Sequence, residues 1–204
     1  MPDAMESSFS KAFGADPAPL GLAGFAFTTF LLSFVNAGIL PASGAFVVVP
    51  LAFAYGGLGQ LLAGVFEMRK GNTFGFTAFS SYGGFWIFYA LLVTLSAAKI
   101  ISPPASAIGM ALILWGFFTL YMWIPAMMAS KALNLTFFFL WLAFFVLGAG
   151  ALMGSSYLTV LGGYLGFLTA FFAAYTSFAI VTNSVRPGTM PLGAGVNIGK
   201  YLKK

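Results

Sequence analysis

The side chains able to do chemistry in this chain are few, and the strongest are missing. There is no Cys and no His among its 204 residues. That removes disulfides, thiol nucleophiles, imidazole acid–base catalysis and the usual zinc, haem and copper ligands. The acids are Asp3, Glu6, Asp16 and Glu67, and none lies mid-way along an apolar tract. No carboxylate pair can be assembled for general acid–base work, and a mid-membrane proton relay is disfavoured. The expectation is no enzyme, no cofactor and no metal. What remains is neutral hydrogen-bonding chemistry at helical spacing. Phe25, Thr28, Thr29, Leu32 and Asn36 share one helix face, as do Gly56, Gln60, Gly64 and Glu67, and again Ala78, Tyr82, Phe85 and Tyr89. An amide such as Asn36 or Gln60 cannot face lipid without losing its partners, so these faces look inward. Each could be interhelical glue; three in one small bundle point to a polar path. Glu67 either pairs with Arg69 or Lys70 or lines the mouth of that path.

The elements that must position these groups are membrane helices. The chain is 60% hydrophobic and only 6% charged, against about 25% charged in a soluble domain. Four tracts, Pro17 to Phe66, Gly71 to Ala98, Ile100 to Ser130 and Ala132 to Val185, hold no Asp, Glu, Lys or Arg. A spanning helix takes roughly 20 residues, so the tracts hold two, one, one and two helices. Turn residues Gly38, Pro41 and Gly44 divide the first, and Gly154-Ser155-Ser156 divides the last. The predicted spans are Leu20 to Leu40, Ala45 to Phe66, Thr73 to Leu95, Ala107 to Met128, Leu133 to Met153 and Leu158 to Thr182. The fold class is an all-α integral membrane protein, a six-helix bundle. Its transmembrane domain is 16–185, flanked by an N-terminal segment 1–15 and a basic, loosely ordered tail 186–204. Asp16 is placed to cap the first helix, with Pro17 or Pro19 at its first position. The glycine pairs Gly71 with Gly75, Gly150 with Gly154 and Gly162 with Gly166 allow close helix approach, and Phe137-Phe138-Phe139 reads as packing.

Six spans put every Lys and Arg but Lys99 on one side of the membrane. By the positive-inside rule that side, with both termini, is the cytoplasm, so the protein is a multi-pass protein of the plasma membrane. The net charge of +5 marks that side rather than a nucleic-acid partner. The bilayer is the expected surround, and the tail meets its anionic inner leaflet.

Asp16-Pro17-Ala18-Pro19-Leu20-Gly21-Leu22 closely resembles the N-P-A-P-L-G-L signature of the acetate uptake transporter family, which includes the succinate–acetate permeases. Tyr55-Gly56-Gly57 through Gln60, Gly64, Glu67 and Lys70-Gly71-Asn72-Thr73-Phe74-Gly75, then Thr77 to Gly83, is similar to a second block of that family. So is Trp115-Gly116-Phe117-Phe118-Thr119-Leu120. The resemblance implies transport of acetate and related small monocarboxylates, with succinate as a further substrate, through a path inside each protomer of a homo-hexamer. It implies a hydrophobic constriction at Phe25, Tyr82 and Leu140 and a size-tuning small residue at Ala173. Thr28, Thr29, Asn36, Gln60, Ala173 and Tyr175 are the substrate-binding candidates, with hydroxyl and amide groups staging the anion beside the neck. Here Asp16 stands where the signature has Asn, which adds a negative charge at the cytoplasmic mouth. Two other readings share the architecture: a channel for a small neutral solute such as ammonia or urea, and a sensor or scaffold that passes nothing.

Overall fold

The computed structural model describes residues 14–197. Six helices in it are long and apolar enough to span a membrane: α1 Ala18–Asn36, α2 Ala42–Arg69, α3 Thr73–Ala97, α4 Ala105–Ala129, α5 Lys131–Met153 and α6 Ser156–Val185. Each overlaps one of the expected spans. The first ends four residues early, because Gly38 at φ 71° turns the chain and the amides of Ile39 and Leu40 fold back onto the Phe34 carbonyl. The start of α1 also differs from expectation. Pro17 occupies the cap position, and Asp16 accepts from the Ala18 amide at 3.1 Å.

α2 is the irregular element. It opens with a 3₁₀ turn and carries Pro50, whose missing amide interrupts the ladder. From Ala52 to Gly59 it widens into π geometry before closing again as α-helix from Gln60. The widened stretch is rich in glycine, and there α1 and α3 come closest. A Cβ on Gly24 would lie 2.5 Å from the Tyr55 carbonyl oxygen, and one on Gly56 2.9 Å from the Trp86 ring. Gly71 and Gly154, by contrast, have positive φ and open space around them: they end helices and do not pack them.

α1 packs on α2 and α6, α2 on α3, α4 on α5 and α5 on α6, whereas α3 and α4 scarcely approach. Aromatic rings fill that seam, with Tyr82 and Phe85 of α3 against Trp115 and Phe118 of α4 at centroid distances of 5.3 to 6.0 Å. Alternating helix directions bring Arg69, Lys70, Lys131 and Arg186 to the end where α1 begins, and leave Lys99 at the other. We term these the cationic end and the far end.

The tail is a correction to expectation. Residues 187–197 do not trail off but cross the cationic end as a strap. Met190 exchanges two hydrogen bonds with the Asn183 side chain, at 2.8 and 2.9 Å. The amides of Lys131 and Ala132 donate to Gly193 and Leu192, and Val196 donates to Met127. Segment 1–13 and residues 198–204, with Lys11, Lys200, Lys203 and Lys204, lie outside the described residues. Asn183→Ala removes both side-chain bonds and should lower stability by about 1–3 kcal/mol, read as a lower melting temperature in detergent.

Candidate functional site

Two chambers run through the bundle and meet at its middle. The far chamber, about 450 Å³, lies between Phe25, Thr29, Ser33 and Asn36 of α1, Phe85 and Tyr89 of α3, Leu112 of α4 and Leu140 and Phe144 of α5. The cationic-end chamber, about 410 Å³, is lined by Ala18, Leu22 and Phe25 of α1, Gln60, Asn72 and Gly75, Ala78 and Tyr82, Met128 of α4, and Thr136, Phe137 and Leu140 of α5. Phe25 and Leu140 border both. Tyr82 stacks beside them, its ring 5.7 Å from that of Phe25. All three are buried. Phe25, Tyr82 and Leu140 thus come together where the two chambers meet.

The helices aim these side chains for local reasons. The face Ala78, Tyr82, Phe85, Tyr89 runs along the path, its first half in one chamber and its second half in the other. Tyr82 cannot swing, because its hydroxyl donates to Thr119 at 3.0 Å while Thr119 donates to the Trp115 carbonyl at 2.7 Å. On α1, Phe25, Thr29, Leu32 and Asn36 line the far chamber as one stripe. Thr28 is turned away. It is fully buried against Gly56 of α2 and lines neither chamber, a correction to its place among the substrate candidates.

Further corrections follow. The face Gly56, Gln60, Gly64 and Glu67 packs on α3, with Trp86, Ser80 and Gly75 against it, and only Gln60 reaches a chamber. Glu67 forms no ion pair with Arg69 or Lys70, and Lys70 pairs instead with Asp16. Glu67 is fully buried, with Oε2 accepting from the Asn72 amide at 2.7 Å. Ala173 lies wholly inside the core and lines neither chamber. Tyr175 points to the strap and donates to the Pro191 carbonyl at 2.6 Å. The donors expected beside the constriction are partly committed: Thr29 donates its hydroxyl to Phe25 and Gln60 one of its two amide N–H groups to Gly56, each to a backbone carbonyl at 2.7 Å. Asn36 and Tyr89, in the far chamber, donate to no other described residue.

Further residues line the chambers without being site candidates by sequence. Asn72, Thr136 and Phe137 all border the cationic-end chamber. In the sequence Asn72 stands only within a motif. Its spacing three residues before Gly75 is a helix-cap signal, and its Oδ1 does accept from the Gly75 amide at 3.1 Å. Phe137 packs, with its ring 6.1 Å from that of Tyr82.

The signature turn is fastened rather than open. Ser177 of α6 donates to the Pro19 carbonyl at 2.7 Å, and a Cβ on Gly21 would strike the Phe79 ring at 2.5 Å. Asp16, exposed, pairs with Lys70 at 3.0 Å, which cancels its charge where α1 begins. Ala18 alone of Asp16, Pro17, Ala18, Pro19, Leu20 and Gly21 lines a chamber. An exposed pair of this kind is worth about 0–1 kcal/mol. Asp16→Asn should therefore leave the melting temperature nearly unchanged, and added salt should erase any difference.

The family model described as GPR1/FUN34/yaaH family matches residues 2–188. The succinate-acetate/proton symporter SatP of Escherichia coli is 37% identical over 181 residues, which cover 88% of this chain and 95% of that protein. Acetate permease A of Emericella nidulans is 42% identical over 186 residues, covering 83% of this chain and 62% of that longer protein. The solved structure of the bacterial acetate channel SatP superposes with a TM-score of 0.83 at 36% identity, over 88% of this chain and 99% of that one.

Proposed function

We infer function from one premise: this chain belongs to the GPR1/FUN34/yaaH family, and it moves acetate and related small carboxylates across a membrane. It is not an enzyme. We propose that the path runs through the two chambers and that Phe25, Tyr82 and Leu140 form its neck. The observation that carries this is the pair of residues, Phe25 and Leu140, shared by both chambers.

Acetate is half methyl and half carboxylate. Its methyl suits the apolar walls, and its oxygens need donors. Asn36 and Tyr89 of the far chamber have donors to give, and among the described residues no Lys or Arg lines either chamber. A buried guanidinium would hold the anion by two parallel bonds, whereas conduction needs sites weak enough to leave. The neck itself strips water from the solute and selects by width.

In this proposal the cationic end faces the cytoplasm, supported by the segregation of Lys and Arg, and the membrane is the plasma membrane. The resemblance supports a hexamer of independent paths; native mass spectrometry of the purified protein would count the copies. The chamber walls, free of cations, also suit a small neutral solute such as ammonia, which is the second reading. Acetate currents across planar bilayers holding the purified protein, at fixed voltage, test the first. A saturating acetate current is expected, and its absence would sink the reading. Adding a pH gradient at the same voltage separates a channel from a proton-coupled carrier. If ammonia passes and acetate neither passes nor competes, the second reading holds instead.

A further inference from the structure

Behind the wall of the cationic-end chamber lies one group that the path as described does not use. Glu67 is fully buried. One carboxyl oxygen accepts from Asn72 at 2.7 Å; the other, Oε1, has no hydrogen-bond partner among the described residues. Gln60, two turns earlier on the same helix face, repeats the pattern, with its Oε1 buried and unpartnered. One orphan acceptor lines the chamber and the other lies behind its wall, and no donor among the described residues answers either. Burying an acceptor without a donor costs free energy, and burying an ionised carboxylate without a cation costs more.

The charged groups that face Glu67 are Lys70 on its own helix and Asp16 ahead of α1. These are already paired with each other at 3.0 Å. α3 presents the neutral Asn72 and Gly75. Glu67 sits directly behind that part of the wall: a Cβ on Gly75 would lie 2.9 Å from its carboxyl carbon, and both Asn72 and Gly75 line the chamber. A missing side chain and one amide therefore separate the carboxyl from the transported solute. A proton bound at Oε1 would remove the buried charge that no cation compensates.

We propose that Glu67 is the proton-binding group of the path, exchanging its proton with the cationic-end chamber past Asn72 and Gly75. This rests on the transport reading above. In the exchange a carboxylic acid in the chamber gives up its O–H proton, a new O–H bond forms at Glu67 Oε1, and the solute leaves as the carboxylate. The reverse step reloads a solute arriving from the other side. Asn72 is the positioning residue. Its amide holds Oε2, and its carbonyl caps α3, so the carboxyl stays aimed in both states.

The test uses the whole protein in planar bilayers, with acetate as the probe and voltage fixed. The pH on the cationic-end side is stepped at constant acetate anion concentration. The wild type should change its acetate current several-fold across the series. Glu67→Gln keeps an oxygen for Asn72 to bind but cannot titrate, and its current should stay flat. A second measurement needs no variant. With only four acids in the chain, infrared difference spectra of the wild type over the same pH range should show one buried carboxyl stretch gaining and losing its proton. A Glu67→Gln protein with the wild-type pH profile overturns the assignment, and so does a wild-type spectrum without that band. A wild type that passes no acetate would count against the transport reading alone, and the infrared titration would still decide the proton site.

Discussion

Leu140→Ala admits larger acids: uptake of lactate and succinate relative to acetate should rise on the order of tenfold. Leu140 borders both chambers beside Phe25. Removing its branched end joins the two volumes where they now touch only across side chains. Acetate passes the native neck already and gains little. A solute wider by a hydroxymethine or a second carboxylate is the one whose barrier contained the clash. The stability cost should fall at or below the low end of the usual 2–5 kcal/mol for Leu→Ala, because the side chain already borders open space and loses fewer contacts than a core leucine. Competition by each acid against labelled acetate in vesicles reads the result, with a thermal melt as the control for folding. Phe25→Ala should act in the same direction with a larger loss of stability, since Phe25 also packs on Tyr82. Unchanged selectivity in a folded Leu140→Ala protein would mean that the neck is elsewhere.

Gly24→Leu should abolish the folded protein. A Cβ there would lie 2.5 Å from the Tyr55 carbonyl oxygen, and backbone cannot rotate aside as a side chain can. Relief requires α1 to move off the widened stretch of α2. That separation would carry Phe25, the next residue, out of the neck. The cost should be about 3 kcal/mol or more, at the upper end of overpacking. Gly84 is the matched control, since nothing lies within 4 Å of its Cβ position. Gly84→Ala should stabilise by about 1 kcal/mol, the ordinary gain of Ala over Gly inside a helix. Size-exclusion profiles and melting in detergent read both. If Gly24→Leu melts with the native protein, the contact between α1 and the π stretch is looser than described.

Much of this architecture was legible in the spacing of charges. Lipid excludes ions and unsatisfied backbone alike, so gaps between Lys, Arg, Asp and Glu measure helices directly. Helical periodicity also placed Phe25, Thr29, Leu32 and Asn36 on one stripe, and the structure keeps them on one chamber wall. Thr28 shows where periodicity stops. It lies one residue, about 100°, from Thr29, and only the position of α2 decides which of the two faces the path. Gly56 leaves room for Thr28, so α2 covers it. Ala173 and Tyr175 failed for the same reason. Their helix was known, but what lay beside it was not.

Hydrogen-bond commitments were further out of reach. A threonine or glutamine in a membrane helix can donate to a solute or to the carbonyl one turn back, and composition does not choose. In the folded chain Thr29 and Gln60 take the carbonyl, and Tyr82 takes Thr119. The strap was hidden too, since a Gly-rich tail reads as loose until Asn183 and the start of α5 supply its partners. The sequence by itself determined six spans, a charge-free interior, the absence of catalytic groups and the family, because each depends on composition or on residues close along the chain. The tertiary structure alone decided that Thr28 turns to α2, that Asp16 pairs with Lys70, and that Glu67 is sealed behind Asn72 and Gly75. Each of those contacts joins residues from different helices or turns, and their distances are set by how closely glycines let the helices approach.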